Sequence, residues 1–219
     1  MEPLLLVSLI FLEGILFILT FTIFRSDTRS VLSRSFVIFV LILTVWLALN
    51  YLSNLTFLDH DLILLINRLL FFWSAITMLA LYFFCKVAGG AKVAFSRLFK
   101  ILTVLICMSA LISLSPFVVQ DFREEEGGAI AILFGVLAPA YFIPLFAVAI
   151  AAFVRLLMSS FAKDLHIRSY SRVLLISVGG GLFVTIIFSA VIPILYHNFT
   201  LSLFSPLASV AIVAGVGYA

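Results

Sequence analysis

Apolar residues fill this chain in long blocks separated by short polar punctuation. A helix needs about 20 predominantly apolar residues to cross a bilayer. Seven stretches reach that length: residues 3–24, 35–55, 62–85, 98–119, 129–158, 173–196 and 201–219. The pattern predicts an all-α membrane protein, a single seven-transmembrane-helix bundle spanning residues 1–219. The fifth block is long enough to tilt or to project past the bilayer. The connections are too short for a soluble domain, and no repeat or low-complexity segment is evident. The first block lacks the basic leader and small-residue cleavage site of a signal peptide, so it reads as a retained helix.

Composition supports lipid as the natural solvent, and hence the lipid bilayer as the first partner. Hydrophobic residues make up 65% of the 219 and charged residues only 11%, against about 25% charged in ordinary soluble domains. The net charge of +3 says less than its distribution. Short cytoplasmic loops are enriched in Lys and Arg. Arg25, Arg29 and Arg34 follow the first block, Lys86, Lys92, Arg97 and Lys100 the third, and Arg155, Lys163, Arg168 and Arg172 the fifth. The other side carries only Arg123, and Arg68 sits inside the third block. Acidic residues run the opposite way: Glu2, Asp59, Asp61, Asp121, Glu124, Glu125 and Glu126 against Asp27 and Asp164. The expected topology is N-terminus outside and C-terminus cytoplasmic, multi-pass in the cell membrane.

Two charges interrupt the apolar blocks, Glu13 and Arg68. A charge at the centre of a membrane helix costs about 2.5–3.5 kcal/mol on insertion scales, so each is expected to face the bundle interior. At about 1.5 Å per residue, Glu13 lies about 15 Å and Arg68 about 9 Å from the outer ends of their blocks. Asn50 and Asn67 fall at similar depths, with Trp46 one turn from Asn50. Two readings of Glu13, Trp46, Asn50, Asn67 and Arg68 stay open. One is a polar pocket, open outward, that takes an unknown ligand. The other is an interhelical ion pair with amide hydrogen bonds that fixes packing. Arg68 also has the length to snorkel to the outer interface.

Other features read more simply. Cys85 and Cys107 fall in or at the end of apolar runs without metal-ligand spacing, and are expected to be buried thiols that act as small apolar residues. The acidic run from Asp121 to Gly128 lacks the alternating ligands of a calcium loop and reads as a solvated loop. Gly179, Gly180 and Gly181, with Pro139, Pro144 and Pro206, mark either hinges or close packing and fixed kinks. Asn54-Leu-Thr56 and Asn198-Phe-Thr200 match the glycosylation sequon.

Absences narrow the function. The last block holds no lysine for a retinal Schiff base. No GxSxG-like nucleophile with a membrane histidine, no pair of membrane aspartates and no HExxH is present. His60, His166 and His197 lie in loops or at helix ends. The chain is therefore not expected to be an enzyme, and no catalytic residue, metal or cofactor is assigned. Nothing points to nucleic acid.

The spans and loops resemble the seven-helix N-terminal sensor region of bacterial and archaeal histidine kinases, over nearly the whole chain. The second block runs Phe-Val-Ile-Phe-Val-Leu-Ile-Leu-Thr-Val-Trp46 after a basic loop. The third opens with Asn67-Arg68-Leu-Leu-Phe-Phe, similar to the family's Arg followed by aromatics. The last third has Arg168-Ser-Tyr-Ser-Arg172 before Gly179–Gly181, then Pro193 and Ser205-Pro206. The resemblance implies a sensory input domain of a two-component system. Its seventh helix would lead into a cytoplasmic effector domain after Ala219, and a homodimer is implied by the same resemblance. The chain holds no phosphoacceptor box, since His166 is followed by Ile-Arg-Ser, so it is expected to be a sensor fragment without its kinase. The alternatives are a small transporter or channel, for which Glu13 is the only carboxylate candidate, or a structural membrane subunit.

Overall fold

The computed structural model describes residues 2–26, 29–55, 57–90, 96–124 and 130–186. Within them the chain forms α1 (Glu2–Ser26), α2 (Val31–Leu52), α3 (His60–Ala88), α4 (Arg97–Ser113), β1 (Val119–Glu124), β2 (Ile130–Phe134), α5 (Ala138–Ser159) and α6 (Leu165–Ile186). The molecule is mostly helical, and α2, α3 and α5 are each long and apolar enough to cross a membrane. At about 1.5 Å per residue, the 29 residues of α3 reach about 43 Å, more than the ~30 Å hydrocarbon core. The expected seventh block, 201–219, and residues 187–196 of the sixth lie outside the described residues.

Local chemistry sets the helix ends. Ser30 caps α2 by accepting from the Leu32 amide at 3.2 Å, and Ser96 caps α4 by accepting from the Phe99 amide at 3.3 Å. Such caps satisfy amides that have no partner within the helix. After α3, Gly89 caps the helix and Gly90 takes φ +70°, a left-handed turn that suits glycine.

Several expectations are corrected. The block 98–119 is helical only to Ser113, because Pro116 follows closely and disfavours helical conformation in the residue before it. The block 129–158 is not one long, tilted or projecting helix. Its start is the strand Ile130–Phe134, rich in β-branched and aromatic side chains, and α5 begins at Ala138 with Pro139 in its first turn, where a missing amide costs nothing. The fold is thus not purely α. The first four residues of the stretch expected to be a solvated acidic loop, 121–124, belong to β1, paired antiparallel with β2 in the register Asp121↔Leu133, Phe122↔Ile132, Arg123↔Ala131 and Glu124↔Ile130. An irregularity between Val119 and Asp121 leaves Gln120 as the extra residue of a bulge.

The hub of the bundle is α3. It packs against α2, α4, α5, α6 and β1, while α1 lies on α2, and α5 also packs on α4 and α6. The core around it is aromatic. Phe84, fully buried, stacks on Phe39 at 6.1 Å and tilts against Phe36 at 5.9 Å. Leu12 and Leu16, one turn apart on α1, complete this side.

The outside is as apolar as the inside. Phe11 and Phe17 on α1, Ile101 and Leu111 on α4, and Ile143 and Phe146 on α5 are all exposed. Helices apolar all round suit hydrocarbon, not water. Cys85 is buried as expected, but Cys107 is exposed. It is not a buried thiol, because it lies on the face of α4 that carries exposed Val104, Met108 and Leu111. Two of the glycines of α6, Gly179 and Gly180, are not tightly packed. A methyl group on Gly179 would make ordinary contact with Phe153 at 3.5 Å, and one on Gly180 would meet nothing within 4 Å. Pro206 lies outside the described residues.

Candidate functional site

The five polar candidates lie on three helices, Glu13 on α1, Trp46 and Asn50 on α2, Asn67 and Arg68 on α3. Glu13 is half-buried on α1, flanked by the buried Leu12 and Leu16. It faces Thr44 of α2, whose hydroxyl donates to the carboxyl group. Trp46, two residues further along α2, is half-buried against the core. Asn50 lies one turn on, and its main-chain carbonyl accepts from the Ser53 hydroxyl at 2.9 Å and the Asn54 amide at 2.7 Å. The Asn54 side-chain nitrogen, the candidate glycosylation acceptor, is therefore hydrogen-bonded back into the end of α2.

On α3 the side chain of Asn67 is buried and donates from Nδ2 to the Ile63 carbonyl at 2.9 Å. Arg68 points the other way in role. Its Nε donates to the carbonyl of Val119 at 3.3 Å, the first residue of β1. Among the described residues no ion pair joins Glu13 to Arg68. Helix α2 packs between their two helices, so the carboxylate satisfies itself with a hydroxyl and the guanidinium with a carbonyl.

Arg68 is one part of a larger clasp between α3 and the hairpin. His60, the first residue of α3, brings Nε2 to 3.1 Å from Asp121 Oδ1, and its Nδ1 lies 3.8 Å from Asp61. The His60 ring stacks on Phe122 with centroids 4.5 Å apart and planes 22° apart. These groups are largely exposed, so the polar contacts alone hold the clasp weakly. The apolar side of the clasp is stronger. Val118 and Val119 are fully buried. Phe134, the last residue of β2, sets its edge on Phe71 of α3 at 5.7 Å and on Phe142 of α5 at 5.4 Å.

A buried tyrosine locks the layer beneath. Tyr141 of α5 donates its hydroxyl to the Phe71 carbonyl at 2.7 Å, and Ser74 is within hydrogen-bond reach of the same oxygen. Phe71 therefore meets the hairpin through its ring and α5 through its main chain. Below the hairpin, Gly135 donates to Val118 at 3.0 Å and Leu137 to Phe117 at 2.8 Å. A side chain on Gly135 would run into the Phe117 carbonyl.

His60, Asp121, Phe122, Phe134 and Tyr141 escape a reading based on intramembrane charge. The one sequence signal near them is the β-branched and aromatic content of 130–134, which favours a strand. Apolar runs on both sides of that segment mask it. No protein-family model, curated protein or solved structure matches this chain.

Proposed function

We propose that the chain is a transmembrane sensory input domain. In this reading seven helices cross the cell membrane, with the N-terminus and the hairpin outside and the basic helix ends in the cytoplasm. The domain passes an external or intramembrane cue to a cytoplasmic signalling domain of histidine-kinase type. One observation carries the reading. A hairpin that exposes Gln120 and Arg123 is clasped to α3 through Arg68–Val119 and His60–Asp121, and α3 is the helix that touches α2, α4, α5 and α6. A displacement of the hairpin is therefore felt at every helix α3 packs against. The lysines and arginines concentrate at the opposite ends of the helices, which supports the orientation.

Coupling of this kind requires only that the cue binds two packings of the bundle with different affinity. Arg68 and Glu13 are the residues to test in the full-length protein with its output measured. Arg68→Ala and Glu13→Ala are each expected to change the response. If both leave response and signalling as in the parent, the site assignment fails. Orientation is read separately in a Cys107→Ser background. Gln120→Cys should react with an impermeant maleimide in intact cells, and Arg172→Cys only after permeabilisation.

Glu13, held in the apolar layer by one hydroxyl, favours a small transporter or channel as second reading. Substrate flux into proteoliposomes that depends on Glu13 would replace the sensor reading with this one. Loss of complex formation without loss of any response would instead indicate a structural subunit.

A further inference from the structure

The end of the bundle opposite the hairpin holds a second polar cluster, built from α5 and α6 against the end of α3. Ser159 of α5 donates its hydroxyl to the Gly89 carbonyl at 3.2 Å. The Ile167 side chain of α6 packs on Gly90. These contacts register both helices on the same turn of chain. Arg155 lies one turn into the bundle from Ser159, and Ser171 one turn in from Ile167, with Arg168 beside it on α6. The chain reverses between α5 and α6, so Arg155 and Ser171 come level. Arg155 is also within electrostatic reach of the Tyr82 hydroxyl on α3.

Three donors in this cluster are shielded from solvent and have no hydrogen-bond partner: Nε of Arg155, Nε of Arg168 and the hydroxyl of Ser171. Native structures rarely leave buried polar atoms unsatisfied. Ser171 is 0% exposed. Buried Ser35, Ser109, Ser113 and Ser159 turn their hydroxyls back to a carbonyl three or four residues earlier. Ser171 does not. Neither arginine is paired with a carboxylate among the described residues. The nearest in sequence, Asp164, accepts the Ile167 amide at 3.4 Å. All three orphans are donors and two are cationic, so the complement they lack is an anion with several acceptor oxygens.

We propose that Arg155, Arg168 and Ser171 form a binding site for one phosphate group, carried either by an anionic phospholipid headgroup or by a soluble phosphate. Guanidinium groups match phosphate through forked hydrogen bonds. Basic pockets between helix ends suit anionic headgroups. The site is separate from the hairpin clasp and stands whether or not the chain is a sensor.

The test uses the purified full chain in uncharged detergent. Native mass spectrometry reads dioleoyl phosphatidylglycerol against dioleoyl phosphatidylcholine at equal concentration, and calorimetry reads inorganic phosphate. Phosphatidylglycerol adducts should exceed phosphatidylcholine adducts by about tenfold. They should fall by about tenfold in the Arg155→Gln/Arg168→Gln variant and about threefold in Ser171→Ala, as expected for loss of charge-assisted hydrogen bonds. Exposed Lys163 and Arg172 provide the control. Lys163→Gln/Arg172→Gln removes the same charge and should keep the adducts. Binding of inorganic phosphate alone, lost in the same pocket variants, assigns the site to a soluble phosphate. The proposal is overturned if neither probe binds, if the pocket variants bind like the parent, or if the exposed pair costs as much as the pocket pair. Should the glutamine pair fail to fold by circular dichroism and elution volume, Arg155→Lys/Arg168→Lys and Ser171→Ala decide by the same rule. The lysines keep the charge but remove the forked donor.

Discussion

Arg68 on α3 donates from Nε to the main-chain carbonyl of Val119 at 3.3 Å, closing a gap of 51 positions in the sequence. A charged donor on a carbonyl contributes about 1.5–3 kcal/mol. Replacing it with the apolar, similarly long methionine should release β1 from α3. Arg68→Met is expected to cost about 2 kcal/mol and to raise amide exchange at Val119–Glu124 while leaving α4 and α5 protected. Unchanged exchange in the strand would show that the apolar contacts of Phe134 hold the hairpin without Arg68.

Tyr141 offers a cleaner measurement, because its ring is fully buried and only the hydroxyl need change. Tyr141→Phe removes the donor to the Phe71 carbonyl. Interhelical hydrogen bonds in bilayers average about 0.6 kcal/mol and reach about 1.7, so a loss of about 1 kcal/mol in the detergent-solubilised protein is expected. The aromatic contacts with Phe71 and Phe142 survive this change. A drop far above that range would mean the hydroxyl organises more than one helix contact.

Gly135 and Gly180 should respond to alanine in opposite directions. At Gly135 the new methyl group meets the Phe117 main chain, which cannot yield as a flexible side chain does. Gly135→Ala is expected to destabilise by about 1–3 kcal/mol, the usual penalty for overpacking, and to loosen the hairpin. Thermal unfolding of the variant in detergent reads the loss.

At Gly180 there is nothing within 4 Å, and alanine favours helix over glycine by about 1 kcal/mol. Gly180→Ala should therefore raise the melting temperature. If α6 must bend at Gly179–Gly181 during signalling, the same variant will be more stable and less responsive. If the glycines serve no motion, it will be more stable and equally responsive.

Much of the helical architecture was legible because one physical property announces it. Long apolar runs such as 35–55 and 62–85 correspond to α2 and α3, displaced by a few residues where Ser30 and Gly89 place the real ends. The hairpin was hidden for the same reason. Ile130–Phe134 is as apolar as a membrane helix, and over five residues period alone does not separate strand from helix. Length arbitrates only once the break at Gly135 and Pro139 is weighed. The polar candidates were found individually, since charge stands out in an apolar block. Their partners were not. Thr44 for Glu13 and Val119 for Arg68 depend on which helices are neighbours, and no local pattern records that α2 packs between α1 and α3. Arg155 and Arg168 count as loop charges in the sequence, and their shielding beside Ser171 follows only from α5 running to Ser159 and α6 starting at Leu165.

The central position of α3 also bears on how the protein is made. During synthesis it emerges third, while α4, α5, α6 and the hairpin that complete its surroundings are still to come. In that interval the Phe71 ring and main chain have lipid as company. The arrival of Tyr141 and Phe134 is the step that exchanges lipid for protein there. A ribosome-stalled chain ending before Ala138 should therefore hold α3 against α2, α4 and the hairpin, and the bundle acquires its final packing only when α5 and α6 are released.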